Sequence, residues 1–166
     1  DEAIRAFLDR QRLEKGRNFR DDFSESLMDS WLAVPFVSAY ALRRMQSLTA
    51  GSECDNVLLE WTLILELMAS GRVPHCIPVM LGHEEPEGGL KEGGALVGNL
   101  FAERRIDTLP EVVCSKVVAE AERLLRAKGQ EPSELLYTRT VKQTVQQITM
   151  NDGVLAWDVG RSHGKG

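Results

Sequence analysis

Two short apolar runs decide most of what this chain can become. "WLAVPFVS" (31–38) and "HCIPVML" (75–81) carry no acidic residue, lysine or arginine, and both are shorter than an ordinary helix. Such runs suit strands of a parallel sheet covered on both faces. Each also holds a proline, Pro35 or Pro78, which removes a ladder donor and sits badly in a central strand. A third run, "AIRAFLD" (3–9), is short, largely apolar and ends at an aspartate, so it too reads as a buried strand.

Helical patterns separate these runs. Residues 21–30 read as a helix, with Phe19, Phe23 and Leu27 four apart on one stripe. A short helix is expected near "AYALRRM" (39–45). The strongest helix is 55–70, with an Asp/Asn start, an apolar body and Gly71 just past its end. Residues 109–129 form an amphipathic pattern with Pro110 near the first turn, Gly129 after the end, and an inner stripe of Val113, Val117, Ala121 and Leu124. Residues 139–153 read as the last helix. Residues 82–99 are a glycine-rich acidic loop without the spacing of a phosphate-binding loop. Alternating strands and helices predict an α/β fold, a parallel sheet with helices on both faces. Residues 1–153 are read as one domain and 154–166 as a flexible C-terminal tail.

Composition narrows the function. With 43% hydrophobic and 27% charged residues, the 166-residue chain can build a core. A net charge of −5 argues against general nucleic-acid binding, which wants a basic surface. No apolar run reaches the length of a membrane span, and no leader peptide is recognisable. Cys54, Cys76 and Cys114 are widely spaced, and they share no ligand spacing with His75, His83 and His163. They read as reduced thiols of a cytoplasmic protein, and no metal is expected.

On this acidic chain, "RQRLEKGRNFR" (10–20) stands out as a basic loop following the first strand. Sites in parallel α/β sheets lie outside the carboxyl ends of the strands, so the loop is placed to meet an anion. The alternative is a solvated charge run. On the helix 55–70, at about 100° per residue with Val57 at zero, Glu60 falls near −60°, beside the core stripe, and Glu66 near 180°, on the outside. A half-buried carboxylate is costly unless paired or used. Glu60 is therefore either a structural ion-pair partner of the basic loop or a functional group.

The segment "FLDRQRLEKGRNFRDDFSESLMDSWLAVPFVS", followed by "CDNVLLEWTLILEL" and "IPVMLG", resembles the Toll/interleukin receptor (TIR) domain family. The likeness covers residues 3–81 and continues more loosely through "LPEVV" and "TVKQTVQQI". It implies a flavodoxin-like fold that here lacks the family's first strand and helix. Two activities are implied. Some TIR domains cleave the nicotinamide–ribose bond of NAD⁺, and others only assemble with TIR partners. In the enzymatic members a glutamate on this helix is catalytic, and its match is Glu60.

NAD⁺ is then a substrate, and no cofactor is needed. The resemblance makes the basic loop, with Arg10, Arg12 and Lys15 around Gly16, the candidate holder of the dinucleotide phosphates. Ser38 lines the pocket or caps a strand end. Trp61 stacks on nicotinamide or packs in the core. The implied partners are other TIR domains, including further copies of this chain. A generic nucleotide- or flavin-binding domain is a weaker alternative, because it calls for a phosphate-cradling glycine loop.

Overall fold

In the computed structural model the described residues are 19–82, 106–150 and 155–158. The expected strand 3–9, the basic loop as far as Asn18 and most of the glycine-rich loop lie outside them. Among the described residues the chain is a mixed α/β structure. The helices are α1 (Phe19–Met28), α2 (Ala39–Gln46), α3 (Asn56–Ala69), α4 (Ser115–Ala127) and α5 (Val141–Thr149), with a 3₁₀ turn at Glu134–Tyr137. The strands are β1 (Leu32–Ala33), β2 (Phe36–Ser38), β3 (His75–Cys76), β4 (Val79–Gly82) and β5 (Leu155–Asp158).

Every strand pairing is parallel. β1 pairs with β3, β2 with β4, and β4 with β5. Each expected apolar strand is thus split in two at its proline. The register nevertheless runs through the break. Ala33 faces Cys76 and Phe36 faces Val79, which sets Pro35 opposite Pro78. Hydrogen bonds from Ile77 N to Ala33 O and from Val79 N to Pro35 O, both 2.9 Å, carry the pairing across the gap. Pro35 has no N–H to return, so the ladder thins there without slipping.

Burial in the first of these segments alternates. Ala33, Pro35 and Val37 are buried, whereas Leu32, Val34 and Phe36 are exposed. The expectation that 31–38 is covered on both faces is therefore corrected: one face is packed and the other is open to solvent. A second correction concerns the end of the chain. Leu155–Asp158, expected within a loose tail, form β5, with Leu155 opposite Val79 and Asp158 opposite Gly82.

α3 is the hub. It packs against α1, α4, α5 and β3. Contact on so many sides requires a helix apolar nearly all round, and nine of its residues are buried. Its start and stop follow the local sequence. Asp55 caps the N-terminus, accepting from Val57 N at 2.9 Å and Leu58 N at 3.0 Å. At the other end Gly71 has a φ of 73°. That left-handed residue lets Arg72 N bond Leu67 O and Gly71 N bond Met68 O, closing a Schellman turn. Gly129, with a φ of 71°, does the same for α4.

α4 begins later than its apolar pattern suggests. Residues 109–114 do not join it, because their carbonyls serve α5: Val141 N donates to Val112 O and Lys142 N to Pro110 O. These are two of the N–H groups that a helix start leaves without intrahelical partners. Val113 thereby drops out of the α4 stripe, while Val117, Ala121 and Leu124 are buried as expected. α5 itself starts with a capping box between Thr140 and Gln143.

Candidate functional site

Glu60 lies in the second turn of α3 and is half-buried. Its backbone is fixed from both directions. Upstream, Asp55 holds the helix start and also accepts from Arg44 Nη2 at 2.5 Å, tying α2 to α3. The same entrance is braced by Arg20, whose Nε donates to Asn56 Oδ1 at 3.1 Å and whose Nη2 donates to Cys54 O at 3.4 Å. Lys116 and Glu53 add an ion pair between α4 and the residues before α3.

Downstream, Glu66 anchors the helix. The helical wheel places this residue outside, and the structure corrects that. Glu66 is 4% exposed. Its Oε1 accepts from Arg139 Nη1 at 2.9 Å and from Ser133 Oγ at 3.0 Å, and its Oε2 accepts from Ser133 N at 2.8 Å. The wheel assumes a helix with one wet face, and α3 has none at this level because the chain around Ser133 and Arg139 covers it. Three donors on one carboxylate are what a buried charge requires. Glu66 is thus structural, and Glu60 is the half-buried glutamate of this helix.

The other sequence candidates separate. Ser38 ends β2 and caps α2, its Oγ accepting from Ala41 N at 3.2 Å, so the strand-end cap reading holds. Its side chain remains half-buried at the carboxyl end of a parallel strand. Trp61 is 1% exposed and belongs to the core cluster. This corrects the nicotinamide-stacking reading, since its ring has no face to offer a ligand. Arg10, Arg12, Lys15 and Gly16 lie outside the described residues. Arg20, from the same basic stretch, turns to the start of α3 and to Glu120 at 3.7 Å.

The cysteines are free thiols, all pushed upward in pKa by burial, Cys76 to about 11. Among the described residues, no group of three His, Cys, Asp or Glu side chains is placed to hold a metal ion. None of the helices there is long and apolar enough to cross a membrane.

Sequence reasoning missed an exposed apolar surface. Trp31 (69%), Phe36 (54%) and Tyr40 (68%) are open, with Leu32 and Val34 beside them. Trp31 meets His75 edge-on, with ring centroids 4.4 Å apart. Alternation within "WLAVPF" was the available signal, hidden because both alternating sets are apolar.

No family model, no curated protein and no solved structure matches the chain.

Proposed function

We propose that the chain is a TIR-type NAD⁺ glycohydrolase with a flavodoxin-like fold, using Glu60 as its catalytic carboxylate. The observation that carries this reading is the position of Glu60. It is half-buried on a helix pinned at both ends, in a parallel α/β structure, within the "CDNVLLEW" sequence that resembles the family's catalytic helix.

The chemistry suits one carboxylate. Cleavage of the C1′–N bond sends its electron pair to nicotinamide, which leaves neutral and needs no general acid. The ribose is left with oxocarbenium character, as in glycoside cleavage. A fixed carboxylate stabilises that positive charge and accepts hydrogen bonds from ribose hydroxyls. Water then adds at C1′ and releases a proton. In this reading Arg10, Arg12 and Lys15 hold the diphosphate.

The test is NAD⁺ consumption with nicotinamide release by concentrated protein, comparing the chain with Glu60→Gln. Activity lost in the variant supports the reading. Equal activity in both removes Glu60 from the mechanism.

The exposed Trp31, Phe36 and Tyr40 favour a second reading, a non-enzymatic module that signals through TIR–TIR self-association in the cytoplasm. A folded, concentrated protein that leaves NAD⁺ intact, and that associates less after Trp31→Ala, moves the assignment there.

A further inference from the structure

Arg139 is 8% exposed, and its charge is already neutralised by Glu66 through Nη1. Its Nε is buried and has no hydrogen-bond partner among the described residues. A buried donor left in that state is expensive.

Arg139 lines a small, partly open void of about 10 Å³ between α3, α4 and α5. The apolar part of the lining includes Leu58, Val117, Leu136 and Val141, and the polar part includes Thr62 and Thr144. Both threonine hydroxyls have spent their protons on the main chain. Thr62 Oγ1 donates to Leu58 O at 2.7 Å, and Thr144 Oγ1 donates to Thr140 O at 2.9 Å. Each oxygen keeps a lone pair to accept with. The residues around the void thus include one unpaired donor and two hydroxyl oxygens able to accept.

We propose that this void is a binding site for a single buried water, which accepts from Arg139 Nε and donates to Thr62 Oγ1 and Thr144 Oγ1. The size suits a water, which needs about 10–15 Å³ of such space. The charge agrees: with Glu66 in place, Arg139 needs a neutral acceptor and not an anion. Three hydrogen bonds are the usual complement of an internal water. The water adds a polar contact between α3 and α5, beside the packed side chains and the Glu66 carboxylate that holds the chain leading into α5.

A crystal structure that resolves ordered water tests this on the chain as it stands, with a Thr62→Val/Thr144→Val variant beside it. The expected result is one water within hydrogen-bond distance of Arg139 Nε and both threonine oxygens in the parent, lost in the double variant. A long-lived water-to-Nε–H cross-peak by NMR gives the same readout in solution and disappears in the same variant. A parent in which Arg139 Nε donates to a protein oxygen overturns the proposal. A void without water in the parent also overturns it, as does a water that persists unchanged without the two hydroxyls.

Discussion

Glu66 and Arg139 form an ion pair closed to solvent at both ends, 2.9 Å apart, with side chains 2% and 5% exposed. The pair joins the hub helix to the chain leading into α5. Removing one partner leaves the other charge buried, which costs about 3–5 kcal/mol. Glu66→Ala and Arg139→Ala are each expected to lose about that much in urea unfolding. The apolar pair Glu66→Leu/Arg139→Met is expected to recover a large part of it. A double variant as unstable as the sum of the singles counts against the pairing.

Asp55 combines two roles that substitution separates. Asp55→Asn keeps the cap to Val57 and Leu58 but removes the charge facing Arg44. Arg44 is 46% exposed in its side chain, so that pair is worth less than about 1 kcal/mol. Asp55→Ala loses the cap as well, and is expected to cost about 1–2 kcal/mol. Thermal denaturation of the two variants side by side gives the order, with alanine the worse.

Acid sensitivity is expected at Glu120. Arg123 donates to both of its oxygens, at 2.9 and 3.0 Å, and holds its carboxyl below the usual carboxylate range, with burial opposing. A carboxylate with a lowered folded pKa contributes fully above its unfolded value of about 4.3 and loses the contribution as pH falls through the folded value. Glu120→Gln is therefore expected to be less stable than the parent at neutral pH. The gap should begin to narrow below about pH 4.3 and close once the folded carboxyl is protonated. A gap that stays constant across the acid range would show that Arg123 does not act through charge.

The thiols order themselves by access. Cys54 is partly exposed, whereas Cys76 and Cys114 are buried. With thiolate fractions suppressed at all three, an alkylating reagent at about pH 8 should mark Cys54 first. Cys76 should react only after unfolding. Mass spectrometry of a labelling time course reads this directly, and early labelling at Cys76 would contradict its place in β3.

Two tryptophans predict opposite outcomes. Trp61→Ala empties a core position and is expected to cost about 3–5 kcal/mol. Trp31, 69% exposed, gives up little beyond its edge contact with His75, so Trp31→Ala should stay within about 0.5 kcal/mol of the parent. Guanidinium unfolding midpoints separate the two.

Local chemistry was the most legible part of this fold. The Asp55 cap, Gly71 and Gly129 marked the ends of α3 and α4 because each acts on its own few neighbours. Glu66 was illegible because its fate depends on Ser133 and Arg139, far along the chain, and a wheel drawn for one helix contains neither. β5 escaped for a similar reason. "LAWD" is short, lies within a six-residue run between Gly153 and Gly160, and is made a strand by the free edge of β4. Glu60 was found by its angle on the helix and keeps the half-buried position that angle implies. Trp61, its neighbour in sequence, turned out to face the core cluster.

The facing prolines bear on how this chain survives its own synthesis. An apolar, uncharged strand is the sort of segment from which fibrils grow when nascent chains meet, and such growth needs about six consecutive residues free of proline. Pro35 and Pro78 cut both apolar strands below that length, at the same level of the sheet. The missing N–H that thins the native ladder also denies a stacking neighbour its hydrogen bond. The folded protein gives up a little pairing energy, and the unfolded one gains a gatekeeper in each of these two apolar strands.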